Sequence, residues 1–539
     1  MEWFTLKNRS LPAQLLAGLL LASAALSLTA CGNIIYREPE YNYSGRPIPP
    51  SGLLERVMAA YTANGSSGGL EILDGLRDIR SNVQNTIPAF SIKGFSSAQP
   101  VDILNFPEQT TGYVLSYTDG GLINVNYSTE SSSGSAASFG PSPPSAAAAP
   151  TGIFFAGTAE QSGALIVSGS GTTVGLNLPN VNKVVINQGG TVILAMVRNS
   201  NSLYRVVKLP ATSNPVLPPG YIDCEPLLLP VFCVVPVGNT NSAGVAGAAY
   251  DRPSNAVFSL DGNNVYILNC GPECGGSVAS VTVLQEGALV INNIPTVNPL
   301  TVPAPLAPIG TPAVPNPIPV PGGVTAAVSD GTYLYLAGQQ ILSTNSYAGV
   351  TGTPISFVGD FAGNLSLLNL STYTVGAPIL ISDGSHTKIL LADDNTLWIG
   401  ASQCSNGARA TLAADQLAAG QATTQAANYN CLTMVQLPSA TIPALTAQII
   451  PAVTQVPASL QGVGAVPVPY PNTNLNQYYY GNLTGLCWVQ NYDKVYTAYG
   501  GQIHLFSTID GSEINNYYVT IQGTVLDVAY MDAESNSAD

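Results

Sequence analysis

From about residue 98 onward, apolar and polar positions alternate in short runs separated by polar turns. Seven hairpin-like units stand out: Val114–Val125, Phe154–Val167, Val184–Leu194, Val257–Leu268, Ala327–Leu336, Ile389–Ile399 and Trp488–Ala498. Period-two alternation rich in β-branched and aromatic residues predicts strands. Asp-Gly and Asn-Gly pairs in such turns supply the positive φ angles that tight hairpins require. Further strands follow most units, as at Leu203–Leu209, Leu365–Leu370 and Ile503–Ser507. Ahead of them, Leu53, Leu54, Val57, Met58 and Tyr61 fall at spacings that predict a short helix over residues 51–63.

A single small sheet cannot bury both of its faces, but a closed ring of such sheets can, and it leaves only short edges. The repeated units therefore predict an all-β fold, a β-propeller of about seven blades with long loop insertions and a short N-terminal helix. The spacing is uneven, about 26 residues between the second and third turns and nearly 100 between the sixth and seventh, so six or eight blades stay open. The strand at Gly523–Tyr530 is expected to close the ring by joining the sheet formed near residues 88–128. The Ser/Leu-Asp-Gly token followed by Tyr and an apolar run resembles the YVTN-type propeller repeat of exported bacterial proteins. That class includes lactonase-type seven-bladed propellers, and the resemblance implies fold more than function.

Four stretches interrupt the rhythm. Residues 129–150 are Ser/Ala/Pro-rich and read as a mobile loop. Residues 295–323 are Pro-rich and read as a stiff extended crossing between the fourth and fifth units. Residues 405–430, rich in Ala and Gln, carry helical propensity. Residues 449–485 read as a long loop that holds Tyr478, Tyr479 and Tyr480. The body of the propeller is placed at residues 68–539, and residues 31–67 form a tether with the short helix.

The first thirty residues read as an export signal. Lys7 and Arg9 precede an apolar stretch, Leu15–Leu28, which is too short for a membrane span. Leu28-Thr29-Ala30-Cys31-Gly32 resembles the lipobox of bacterial lipoproteins. The resemblance implies cleavage before Cys31, acylation of Cys31 and, with Gly at position 32, sorting to the outer membrane. The lipid would then be the only membrane contact, since no later run reaches 18 apolar residues unbroken by a polar residue or Pro. In an oxidising compartment disulfides are expected. Of eight cysteines, seven remain besides Cys31; proximity in sequence pairs Cys224 with Cys233, Cys270 with Cys274 and Cys404 with Cys431, and leaves Cys487 buried.

Composition limits the chemistry. Charged residues make up 9% of the chain, with 31 acidic and 16 basic, so nucleic acid is excluded as a main partner. The two histidines, His386 and His504, are distant in sequence, and no spacing predicts a metal or cofactor site or a catalytic set. Gly65-Ser66-Ser67-Gly68-Gly69 matches Gly-x-Ser-x-Gly but lacks the strand-turn-helix context of a hydrolase elbow. Asp394 and Asn395 read as turn residues. A surface of Asn, Ser, Thr, Gln and Tyr depends little on ion pairs, which predicts tolerance of acid and salt. Tyr478–Tyr480 are candidate glycan contacts, because aromatic faces cover sugar C–H groups. The functional expectation is a binding or scaffolding module of the cell envelope for a protein or glycan partner. The alternative is a propeller enzyme of lactonase or carbohydrate-active type that uses loop carboxylates at the channel mouth.

Overall fold

The computed structural model describes residues 47–539 except 77, 79–89, 161–163, 170, 210–219, 226–230, 296–305, 343–359, 412–429, 440–443, 451–479, 515–518, 520, 522 and 535–539. Each of the seven hairpins falls in a different antiparallel sheet, and an eighth sheet precedes them. The fold is therefore an eight-bladed β-propeller rather than one of about seven blades.

Numbered along the chain, the innermost strands of blades 2 to 8 are Pro100–Leu104, Ser145–Ala148, Val181–Ile186, Pro253–Phe258, Ala326–Ser329, Ser385–Ala392 and Leu483–Val489. Blade 1 pairs Arg56–Thr62 with Gly68–Asp74 on one side and with Thr524–Tyr530 on the other. The C-terminal strand supplies the innermost strand of blade 1, where it packs against the inner strands of blades 2 and 8. It closes the ring, but its ladder partner is Arg56–Thr62 and not the sheet near residues 88–128. On the outer edge Ile72 N donates to Phe90 O and Ile92 N to Leu70 O, so residues 90–92 stand where a fourth strand would run.

The expected helix over 51–63 is instead largely this strand, and the propeller begins at Arg56 rather than at 68. The reason is packing on both faces. Met58 and Ala60 join an apolar cluster with Ile103, Val114 and Val125 of blade 2. Val57 and Ala59 join another with Val489, Tyr496 and Leu505 of blade 8. A strand buried on both sides shows no polar alternation, and its apolar run imitates a helix. The same arrangement recurs around the ring: each of the eight junctions between neighbouring blades holds an apolar cluster.

Two expected irregular stretches are regular. Within 129–150, Ser131–Ser138 is the outer strand of blade 2 and Ser145–Ala148 the inner strand of blade 3. Small side chains suit the crowded interior, where Ala146 and Ala148 pack with Phe139 and Phe155. Within 295–323, Ile318–Pro319 pairs with Ser280 and Val281 as the outermost strand of blade 5. Residues 408–411 form one helical turn; the rest of the Ala/Gln-rich stretch, residues 412–429, lies outside the described residues. Among the described residues no helix is long and apolar enough to cross a membrane.

Candidate functional site in the central channel

Six innermost strands carry a one-residue register shift at an equivalent place near their start. The shifted residues are Leu526, Val101, Asn182, Ser254, Thr387 and Thr484, in blades 1, 2, 4, 5, 7 and 8. A bulge bends the strand and re-aims the side chains beside it. In each case the ladder resumes with a residue that a buried strand does not ordinarily use: Asp527, Asp102, Lys183, Asn255, Lys388 and Gly485. Blades 3 and 6, whose inner strands are Ala-rich, keep regular register there.

These positions make one polar layer. Lys388 Nζ lies 3.2 Å from Asp527 Oδ1 and 3.4 Å from Asp102 Oδ1, reaching from blade 7 to blades 1 and 2. Gly485 of blade 8 makes this reach feasible, since a Cβ there would stand 2.6 Å from Asp527 Oδ1. Asp527 is fully buried, and its Oδ2 accepts a 2.8 Å hydrogen bond from Ile103 N. Burial raises its carboxyl pKa to about 6, against the pull of Lys388. Lys183 keeps partial solvent contact inside the channel, but surrounding protein lowers its ammonium pKa; Asp102 opposes that effect and Lys388 adds to it.

A second polar set lies at the same end. In an antiparallel blade the loop between strands two and three is at the end where the inner strand begins. The Cys270–Cys274 and Cys404–Cys431 disulfides both brace such loops, in blades 5 and 7. Between them runs a hydrogen-bonded chain over blade 6. Gln339 N and Nε2 donate to Glu273 at 2.9 and 3.1 Å, and Gly384 N donates to Gln339 Oε1 at 2.9 Å. Next to Gly384, buried Asp383 accepts from Arg409 Nη1 at 2.5 Å and Arg409 N at 2.8 Å. This fixes the start of the strand that carries Lys388. Burial pushes the Glu273 carboxyl up to about 7, with the Gln339 donors pulling it back.

The other candidate residues lie apart from the channel layer. Cys224–Cys233 joins adjacent strands at the outer edge of blade 4. Cys487 is buried between blades 8 and 1. His386 Nε2 is 2.8 Å from Ser382 O, and burial lowers the imidazole pKa to about 4, so it is neutral at pH 7. His504 is in blade 8, with Nδ1 2.6 Å from Glu513 Oε1. Tyr480 covers it at a ring distance of 5.1 Å and is itself largely buried, so it serves packing rather than an open glycan face. Tyr478, Tyr479 and Cys31 lie outside the described residues. Gly65-Ser66-Ser67 belongs to the turn of the first hairpin, where Asn64 Oδ1 accepts from Ser66 N and Ser67 N. Asp394 and Asn395 both hold positive φ in a turn, and Asn395 Nδ2 donates to Leu437 O. Among the described residues no three His, Cys, Asp or Glu side chains converge in a way that could hold a metal.

The channel layer was not foreseen. Its members are scattered through the chain and only ring closure collects them. A signal existed for four of them: Asp102, Lys183, Lys388 and Asp527 are each the single Asp, Glu, Lys or Arg of their strand, in a chain with 9% charged residues.

No protein-family model matches the chain, and no curated protein matches it. Solved structures do. Dihydro-haem d1 dehydrogenase NirN in complex with DHE is similar at 12% identity over 90% of this chain and 79% of that one, with a TM-score of 0.47. A putative 6-phosphogluconolactonase from Bacteroides fragilis is similar at 10% identity over 88% and 97%, TM-score 0.39. The Dos1 propeller is similar at 8% identity over 80% and 87%, TM-score 0.42. These likenesses concern overall fold alone.

Proposed function

We propose that this protein is an envelope binding module, exported and anchored to the outer membrane through lipid on Cys31. The mouth of its channel, between the two disulfide-braced loops, would receive a protein or glycan partner. The observation that supports binding over catalysis is the state of the channel carboxylates. Asp527 and Asp102 both face Lys388, and Asp527 also holds Ile103 N. A general acid or base must reach the substrate proton. Asp527, the carboxyl with the raised pKa, is fully buried and held by Lys388 and Ile103 N, which supports a positioning role over proton transfer. Three disulfides fit an oxidising compartment outside the cytoplasm.

Membrane extracts in mild detergent, together with a glycan array, test the reading. Native protein should retain a partner or glycan, and Thr387→Trp, at an exposed bulge position, should lose it without change in melting temperature. Turnover of a lactone or glycoside that Asp102→Asn abolishes would establish the enzyme instead. Intact mass should show acyl chains on a chain that begins at Cys31, and Cys31→Ser should move the protein to the soluble fraction.

A further inference from the structure

Lys183 is the charged member of the polar layer that the layer's ion pairs leave out, since both carboxylates pair with Lys388. It occupies on blade 4 the position that Lys388 occupies on blade 7. Among the described residues no carboxylate oxygen lies within 4 Å of its Nζ. The two nearby carboxylates are committed: both pair with Lys388, and Asp527 also accepts from Ile103 N. An ammonium partly withdrawn from water and without an ion-pair partner is a ready seat for an anion that enters the channel.

The surroundings indicate what kind of anion. Lys183 and Lys388 against Asp102 and Asp527 sum to zero, and Asp102 is close enough to act on Lys183. A dianion would meet that carboxylate, whereas a single negative charge balances Lys183 alone. Asn182, Thr387 and Thr484, the bulged residues of blades 4, 7 and 8, are exposed on innermost strands. Their amide and hydroxyl groups can bond neutral hydroxyls next to the charge. We propose that the channel binds a sugar carboxylate of the uronic acid type, with its carboxylate on Lys183 and its hydroxyls met by Asn182, Thr387 and Thr484. This rests on the binding reading above and gives the ligand its chemical class.

Titration calorimetry on the full mature chain in detergent tests it, with D-glucuronate as probe and D-glucose, acetate and inorganic phosphate as comparators. Glucuronate should bind at least tenfold more tightly than any comparator. Lys183→Met should weaken it at least tenfold, and Lys183→Arg should stay within about threefold of wild type. Ligand-free Lys183→Met removes a charge that no ion pair holds, so its melting temperature should equal or exceed that of wild type; lost binding is then not lost folding. Glucuronate binding that is no tighter than glucose, acetate or phosphate, or that ignores Lys183→Met, overturns the proposal. Retention of neutral glycans or of a protein by native chain and by Lys183→Met alike would overturn it while the binding reading stands. Retention of nothing on the array or from membranes would defeat both.

Discussion

Gly485 lies directly against Asp527, so that a Cβ added to it would meet the carboxylate at 2.6 Å and the Val528 backbone nitrogen at 2.6 Å. The contact spans blades 8 and 1, and the latter is completed by the two ends of the chain. Gly485→Ala cannot be relieved by rotating a flexible side chain, because one of the opposing atoms is backbone. Overpacking of this kind costs about 1–3 kcal/mol, and it also pushes Asp527 away from Lys388. Equilibrium urea unfolding should show a loss of that order. Thr484→Ala, one residue earlier at an exposed position, should stay within about 0.5 kcal/mol of wild type.

Ring closure also rests on Arg56. Its guanidinium is buried and bridges Asp532, after the last strand, at 2.7 Å and Glu130 of blade 2 at 3.0 Å. It donates as well to Tyr127 O at 2.6 Å. Removing one member of a buried ionic set leaves the others uncompensated, at a cost of about 3–5 kcal/mol. Arg56→Met should therefore unfold at lower urea by that amount. Limited proteolysis should cut it first near the chain ends, where blade 1 is assembled.

The hairpins were legible because alternation and turn chemistry are local properties. All seven lie in separate blades, although Val114–Val125 and Phe154–Val167 form strands two and three of their blades and the others strands one and two. The eighth hairpin was missed because Arg56–Ala60 is buried on both faces and shows no polar alternation. The Ser/Ala strands were missed because their composition answers to space and not to strand propensity. Ala146, for example, pairs with Gly157, where a Cβ would meet the Phe139 ring at 2.7 Å. Asp102, Lys183, Lys388 and Asp527 become a site only through the topology of the closed ring, which no local pattern carries.

The longer of the two braces at the channel mouth should differ in weight from the bridge at the rim. Cys404–Cys431 encloses a separation of 27 residues and Cys224–Cys233 one of 9. Constraint of the unfolded chain then gives about 3.5 kcal/mol for the first and about 2.5 kcal/mol for the second. Replacing both cysteines of each pair by serine and measuring urea unfolding checks the order. The Cys404–Cys431 variant should also loosen the Arg409–Asp383 contact. Hydrogen exchange at Gly384–Lys388 should rise in that variant and remain unchanged in the Cys224–Cys233 variant.

Acid tolerance is expected from the opposing effects of three groups, half-buried Glu273 and buried Asp527 and His386. Glu273 titrates near 4.5 in the unfolded chain and about 7 in the folded one, chiefly through burial. Between those values the folded state holds a proton that the unfolded state has lost. Its stabilising contribution is full below about 4.5 and is lost as pH rises through 7. Asp527 acts in the same sense between 3.8 and about 6. His386 acts in the opposite sense. Burial holds its imidazole at about 4 against 6.5 when unfolded, so stability falls as pH drops from 6.5 to 4. From pH 4.5 to 6 the two carboxyls oppose the single imidazole, so the melting temperature of the wild type should hold level or rise between pH 7.5 and 5. Glu273→Gln keeps the site neutral at every pH. It should gain on the wild type at pH 8, by at most about 3 kcal/mol at about 1.4 kcal/mol per tenfold change in proton affinity, and match it at pH 4. Scanning calorimetry across this range decides the matter: a Glu273→Gln advantage that grows toward acid would reverse the assigned sign.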